Sequence, residues 1–229
     1  MSTIKREARI AGLWYLLLGV SAPLGLEIVP NKLYVAGNAS ETAQRILAHE
    51  NLYRLGMFSE LFHQVVVIFL VLALFRLFKR VDEGLSWQLV ILGALVSVPV
   101  MFANEVSALG ALILFKGTPY LSVFDKAPLE ALGYFFIRLH TLGIQMAAVF
   151  WGLWLFPFGL LIIRSGFIPK IFGYLLFVAG IAYLAGSACT VLAPQFSRAV
   201  NNYAGILEIA EVPIIFWLVI AGAKEPKTA

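Results

Sequence analysis

The sequence is poor in cysteine and in charge. Cys189 is the sole cysteine, which excludes an internal disulfide and a cysteine-based metal cage. Charged residues make up 13% of the chain and apolar residues 61%, whereas soluble domains are about a quarter charged and about half apolar. The composition therefore excludes a secreted disulfide scaffold and a soluble enzyme. The scattered basic residues also argue against a nucleic-acid-binding protein.

The short motifs of several common chemistries are also missing. The chain contains no Gly-rich phosphate loop, no Gly-x-Ser-x-Gly nucleophile elbow and no Ser/His/Asp arrangement. No lysine lies in the middle of an apolar stretch, which argues against a retinal Schiff base. The motifs alone thus name no reaction.

What the sequence does contain is long apolar stretches, six of them at a length of about 20 residues. They predict an all-α, polytopic membrane helix bundle with six transmembrane helices, with residues 1–229 forming a single domain. The first span is expected to remain uncleaved, and Pro99 and Pro157 are expected to kink the third and fourth. An unbroken pattern from residue 40 to 79 predicts one long helix. The predicted spans cover residues 10–29, 55–75, 85–115, 129–164, 171–192 and 203–223.

The basic residues predict the orientation of the bundle. Short cytoplasmic loops are enriched in Lys and Arg, and the larger share of the 17 such residues lies at span ends on one side. Both termini are therefore predicted to be cytoplasmic. The residues assigned to that side are Lys5, Arg6, Arg9, Arg76, Lys79, Arg80, Arg164, Lys170, Lys224 and Lys227.

Polar side chains inside the spans are the candidate functional residues, because ionisable groups are costly in a bilayer. Residues three and four apart share a helix face, and counting at about 1.5 Å per residue places many of these groups in the outer half of the membrane. We expect them to line an outward-facing polar cavity, together with Asn201 and Arg54. The cavity residues predicted are Glu60, His63, Gln64, Asn104, Glu105, Arg138, Gln145, Glu208 and Glu211.

The charges of this set do not balance. Glu27, Glu60, Glu105, Glu208 and Glu211 outnumber their two candidate counter-cations, Arg54 and Arg138. A low dielectric disfavours such an excess, so some glutamates are protonated, a cation binds, or water reaches them.

A metal site is one interpretation of this excess. The Glu-x-x-His of the second span resembles the inward-facing ligands of carboxylate metal sites in helix bundles. It predicts a divalent metal held by Glu60, His63, Glu208 and Glu211. The alternative is a hydrogen-bonded network that ties the helices together through Arg138.

A b-type haem is not expected. It needs two histidines at one depth, but His140 lies about 36 Å above Arg164, well above His63 at about 20 Å from Arg76. His140 also points about 200° away from Arg138 on its helix, so the two cannot face one site.

Two segments of the chain resemble a known family. The first is Arg9-Ile10-Ala11-Gly12-Leu13-Trp14-Tyr15-Leu16-Leu17. The second comprises Phe150-Trp151-Gly152-Leu153, Gly159, Ser165-Gly166-Phe167-Ile168-Pro169, Gly173-Tyr174-Leu175-Leu176, Ala179-Gly180 and Tyr183-Leu184. Both are similar to the uncharacterised bacterial integral membrane proteins grouped as domain of unknown function 4386. The resemblance implies six spans, a bacterial cytoplasmic (inner) membrane location, and a histidine at position 140 that is more than a surface group. It implies no activity and no catalytic residues.

Three hypotheses about function follow. The first is a bundle whose outward-facing cavity binds a cation or small ligand. The second is a membrane-embedded metal-dependent hydrolase or oxidoreductase that uses the Glu/His set. The third is a structural or partner-binding subunit. In each case the expected partners are the lipid bilayer and, for the first two, a small molecule or ion.

Overall fold

The computed structural model of the protein describes residues 3–224, and all regular elements in this range are helical. Six helices in this range are long and apolar enough to cross a membrane. The predicted all-α, six-span, multi-pass membrane architecture is thus confirmed. The helices are α1 Thr3–Leu33, α2 Ala39–Ala48, α3 Glu50–Phe78, α4 Glu83–Lys116, α5 Lys126–Ser165, α6 Lys170–Leu192 and α7 Pro194–Ile220.

Two tight turns join α3 to α4 and α5 to α6. Asp82 caps α4 by accepting a hydrogen bond from the Leu85 backbone N–H at 3.0 Å, and its other carboxylate oxygen lies 2.5 Å from the Arg164 guanidinium. Gly166, which follows α5, has a φ of 71°, a conformation that glycine adopts without steric cost. Of the basic residues assigned to the cytoplasmic side, Lys227 lies outside the described residues.

Three spans are interrupted by an irregular turn that precedes a proline. A proline lacks the N–H that would bond to the carbonyl four residues earlier, and its ring clashes with that carbonyl. The carbonyls in question belong to Leu26, Leu95 and Ile209, before Pro30, Pro99 and Pro213. They lie in the π-helical turns Leu24–Ile28 and Ile91–Val96 and in the 3₁₀ turn Ile209–Glu211. By contrast, α5 continues as an α-helix through Pro157.

The single long helix predicted over residues 40–79 is wrong in one respect. His49 leaves the helical conformation, with φ −126° and ψ 40°, and separates α2 from α3. Its backbone N–H bonds to the carbonyl oxygens of Arg45 and Ile46 at 3.0 and 3.2 Å, which closes α2. No proline or glycine lies at this position, so the sequence pattern offers no sign of the break.

The chain divides into two compact units. Unit one comprises the described parts of residues 1–18, 65–99 and 145–229, and unit two comprises residues 19–64 and 100–144. Helices α1, α3, α4 and α5 contribute residues to both units.

Unit one is held by close helix packing. A Cβ on Gly152 would lie 2.7 Å from the Gly180 carbonyl oxygen, and a Cβ on Gly159 would lie 2.8 Å from that of Gly173. Small residues at such positions let two membrane helices approach closely. These glycines, which are among the residues that carry the family resemblance, therefore bring α5 and α6 into backbone contact.

Unit two has its own apolar core, built around the fully buried Leu33, Ile46, Tyr53, Leu112 and Ile137. These side chains come from α1, α2, α3, α4 and α5. The core orients three of the spans so that polar residues on their buried faces meet within the same unit.

Candidate functional site

Three buried polar side chains meet in unit two. Glu60 comes from α3, Glu105 from α4 and His140 from α5, and they are 6%, 5% and 3% exposed. One potential ligand atom from each lies within 4.8 Å of the others. We call these three residues the Glu–Glu–His cluster. Charged side chains are almost never this buried unless they are paired or bind a metal.

The imidazole of His140 is the centre of the cluster. Its Nε2 lies 3.2 Å from Glu105 Oε1 and 3.4 Å from Glu60 Oε2. Ligands that bind a tetrahedral metal at about 2.0 Å are themselves about 3.3 Å apart. These two distances therefore match the edges of a metal coordination polyhedron, and they equally allow a direct imidazole–carboxylate interaction.

The cluster also contains buried oxygen atoms that lack hydrogen bonds. Within residues 3–224, Glu105 Oε2 and Gln64 Oε1 have no hydrogen-bond partner, and Glu60 Oε2 has the 3.4 Å ion pair with His140 Nε2 but no hydrogen bond. Leaving a buried polar atom unsatisfied costs about 1–3 kcal/mol, and more when it is charged. The unsatisfied oxygens of Glu105 and of Gln64, one helical turn from Glu60, indicate a place that favours a cation or an ordered water.

Gly25 on α1 supports the Glu60 side chain. A Cβ at this position would lie 2.4 Å from Glu60 Cγ, 2.9 Å from Glu60 Oε1 and 2.8 Å from the Gly56 carbonyl oxygen. Gly25 belongs to the π-helical turn Leu24–Ile28, and π-helical turns are frequent at functional sites. The missing side chain of Gly25 thus leaves the space that Glu60 occupies.

A similar arrangement holds α5 at the cluster. Asn104, next to Glu105, donates a hydrogen bond from Nδ2 to the carbonyl oxygen of His140 at 3.0 Å. A Cβ on Gly143 would lie 2.0 Å from Asn104 Oδ1, so only glycine leaves room for this side chain. Asn104 therefore positions the backbone that carries the imidazole.

Two tyrosines lie near the carboxylates. Tyr34 follows the first span, and burial raises the pKa of its hydroxyl above the usual range, with the charges of Glu60 and Glu105 adding to the increase. The Tyr53 hydroxyl donates to the Ala108 carbonyl oxygen at 2.8 Å. Tyr34 is therefore a protonated hydroxyl group at the loop side of the cluster.

The predicted counter-cations do not reach these carboxylates. Within the described chain, the ion pairs of Glu60 and Glu105 are with His140. Arg54 instead pairs with Glu50 at 2.8 Å, and Arg138 is exposed. With both carboxylates ionised, the negative charge of the cluster therefore exceeds what one imidazolium neutralises.

The remaining predicted residues of unit two are His63, Gln64 and Glu27. His63 Nδ1 lies 3.1 Å from the Ser21 hydroxyl. Gln64 is 2% exposed and follows Glu60 by one helical turn. Glu27, on α1, is exposed and accepts a hydrogen bond from Asn31 at 3.4 Å.

The other predicted residues belong to unit one, where each has its own contacts. Glu211 accepts a hydrogen bond from the buried Tyr15 hydroxyl, and Glu208 lies one turn earlier and is half-buried. The Ser187 hydroxyl donates to the Gln145 carbonyl oxygen at 2.7 Å. Asn201, from α7, donates to the Thr190 and Ser197 hydroxyls at 3.3 and 3.0 Å.

His140 is the cluster residue that the sequence argument left out of the site. Its height was counted from Arg164, and that of His63 from Arg76. Arg164 pairs with Asp82, which follows the end of α3, so the two counts start from different levels. The count from Arg164 therefore overstates the height of His140.

The sequence did carry one sign of the position of His140. Gly133, Ile137 and His140 are spaced by four and three residues, and all three are buried. Such spacing marks one face of a helix. Arg138 lies on a different face and is exposed, as the 200° rotation between it and His140 requires.

Comparison with known proteins identifies the chain by family. The family described as Domain of unknown function (DUF4386) matches residues 10–222. An uncharacterized protein of Archaeoglobus fulgidus is 32% identical over 81 residues, which cover 35% of this chain and 47% of that protein. The chain thus spans about half the length of this relative. No solved structure matches the chain. Because the family match extends over nearly the whole chain, the protein belongs to the DUF4386 family.

Proposed function

We propose that this protein is a cation-binding integral membrane protein of the bacterial cytoplasmic membrane, and that the Glu–Glu–His cluster holds a divalent metal ion. The observation that carries the proposal is the meeting of two buried carboxylates at one imidazole nitrogen, at 3.2 and 3.4 Å. In the sequence-based hypothesis the metal ligands were Glu60, His63, Glu208 and Glu211. The proposal keeps Glu60 and takes Glu105 and His140 as the other ligands.

Charge supports a divalent ion in particular. Two ionised carboxylates and a neutral imidazole carry two negative charges, which a divalent cation neutralises without further partners. With both carboxylates ionised, a direct network with a protonated His140 leaves one negative charge buried, and such a charge is costly in a low dielectric. A metal ion would also use Glu60 Oε2, which has no hydrogen-bond partner in residues 3–224.

The supports around the cluster resemble those of known metal sites. Metal ligands are usually fixed by surrounding groups whose loss weakens metal binding. Here Gly25 packs against Glu60, and Asn104 bonds to the carbonyl group of His140. A hydrogen-bonded network that only joined helices would not require this degree of positioning.

Elemental analysis of the detergent-purified full chain tests the proposal. We expect about one bound transition-metal ion per chain, and its loss in Glu60→Gln, Glu105→Gln and His140→Ala. His63→Ala and Glu208→Gln are matched variants, because they alter residues of the sequence-based ligand set that lie outside the cluster. Metal retained in both would support the cluster as the site.

Two results would count against the proposal. The first is a metal-free protein that also takes up no Zn²⁺ or Mn²⁺ when these are added, which favours the structural network. The second is metal that survives Glu105→Gln and His140→Ala and is lost in His63→Ala. That pattern would favour the sequence-based ligand set.

A further inference from the structure

The Glu–Glu–His cluster offers three protein ligands, and a metal ion needs at least one more. Tetrahedral sites have four ligands, and the fourth comes from the protein or from water. A further oxygen-bearing side chain of the same unit is that of Gln64, one helical turn after Glu60. Its Oε1 is buried and has no hydrogen-bond partner within residues 3–224.

The position of Gln64 on α3 directs it towards Glu60. The two residues are four apart, so they lie on one helix face. Side chains in an α-helix lean towards its N-terminus, which brings the Gln64 amide back over Glu60. Gln64 is 2% exposed, so bulk water does not satisfy its oxygen.

The resulting set of atoms also defines a class of metal. We propose that Gln64 supplies the fourth ligand, and that the site selects a first-row transition-metal dication over Mg²⁺ and Ca²⁺. This inference rests on the proposed function. Mg²⁺ and Ca²⁺ are bound by oxygen ligands alone, whereas imidazole favours metals such as Zn²⁺ and Fe²⁺. Three oxygens and one imidazole nitrogen suit Zn²⁺, Co²⁺, Fe²⁺ or Mn²⁺.

Competition titrations of the full chain in detergent test the selectivity. The metal-stripped protein is titrated with Co²⁺, whose visible absorption reports its coordination, and Zn²⁺, Mn²⁺, Mg²⁺ and Ca²⁺ are then added as competitors. Zn²⁺ is expected to displace Co²⁺, Mn²⁺ to compete more weakly because it binds such sites less tightly than Co²⁺, and Mg²⁺ and Ca²⁺ to fail at concentrations about a hundredfold above that of Zn²⁺. Displacement by Mg²⁺ or Ca²⁺ at concentrations comparable to Zn²⁺ would overturn the selectivity.

Variants of Gln64 test its role as a ligand. Gln64→Leu keeps the approximate volume and removes the oxygen, and Gln64→Asn keeps the amide but shortens its reach. Each is expected to weaken Zn²⁺ binding by about tenfold or more, since loss of a supporting group alone costs about 10–100-fold. Gln64→Glu adds a carboxylate and should move the preference towards Mn²⁺. Gln88→Leu, at an exposed glutamine of α4, is the control and should bind as the unaltered chain does.

The outcomes separate this inference from the proposed function. If the unaltered chain binds Zn²⁺ and both Gln64→Leu and Gln64→Asn bind it equally well, Gln64 is not a ligand, while the cluster remains a metal site. If the unaltered chain binds no metal at all, the proposed function fails and this inference fails with it. Thermal unfolding of each variant shows whether a loss of binding reflects a loss of fold.

Discussion

Replacing Gly25 with alanine perturbs the site without removing any polar group. The new Cβ would lie 2.4 Å from Glu60 Cγ and 2.8 Å from the Gly56 carbonyl oxygen. Ordinary van der Waals contact begins near 3.4 Å, so Glu60 or the helix itself has to move by about 1 Å. The Gly56 oxygen belongs to the backbone of α3 and cannot rotate away. The substitution therefore displaces Glu60 or separates α1 from α3.

The expected size of the effect follows from two opposing contributions. Overpacking a tight contact costs about 1–3 kcal/mol, and the backbone contact places Gly25→Ala at the upper end. Alanine in a helix gains about 0.5–1 kcal/mol over glycine. We expect a net loss of about 2 kcal/mol in the free energy of unfolding. A ligand displaced by about 1 Å also exceeds the roughly 0.2 Å tolerance of metal–ligand distances, so metal affinity should fall about tenfold or more.

Gly19→Ala is the matched control for this experiment. Gly19 lies on the same helix, and a Cβ there would meet nothing within 4 Å. It should stabilise the protein by about 0.5–1 kcal/mol and leave metal binding unchanged. Denaturant titration and metal titration of the two variants measure both effects. Equal stability and equal metal affinity in the two alanine variants would refute the packing of Gly25 on Glu60.

Substitutions at three further positions test other contacts. Tyr15→Phe removes the hydroxyl that bonds to Glu211 and should lower the free energy of unfolding by about 1–3 kcal/mol. Tyr174→Phe, at an exposed ring, is the control and should leave the free energy of unfolding unchanged in the same denaturant titration. Gly143→Ala crowds Asn104 and should weaken metal binding about 10–100-fold by displacing the backbone of His140; unchanged metal titrations would contradict that role. Asp82→Asn keeps an oxygen for the helix cap but loses the charge opposite Arg164, so it should lower the free energy of unfolding by under about 1 kcal/mol. Asp82→Ala also loses the cap, which should lower it by about another 1 kcal/mol. Equal denaturant midpoints for the two Asp82 variants would show that the cap contributes nothing.

The fold was predictable because hydropathy reports burial in lipid directly. Apolar stretches identified all six spans. The break at His49 was not predictable, because neither a proline nor a glycine marks it. The π-helical turn before Pro30 was missed as well, since a proline indicates a disturbance of the helix but not its form.

The candidate site was predictable only in part, because helical periodicity gives the face of a helix but not its vertical register. Glu60, Gln64, Asn104 and Glu105 were selected from cost and spacing, and the structure places them on or beside one cluster. Counting from the span ends did not place His140, because Arg164 and Arg76 lie at different levels. Such an offset of a few residues depends on how neighbouring helices pack, which the sequence of one helix does not contain.

X-ray absorption spectroscopy of the zinc-loaded full chain tests the central claim most directly, because it reports the atoms bound to the metal. The account predicts nitrogen and oxygen ligands at about 2.0–2.2 Å, with the scattering pattern of a single imidazole. That pattern should disappear in His140→Asn and persist in His63→Ala. A spectrum with two or more imidazoles, or one in which His63→Ala removes the imidazole and His140→Asn does not, would contradict the assignment of the metal to Glu60, Glu105 and His140.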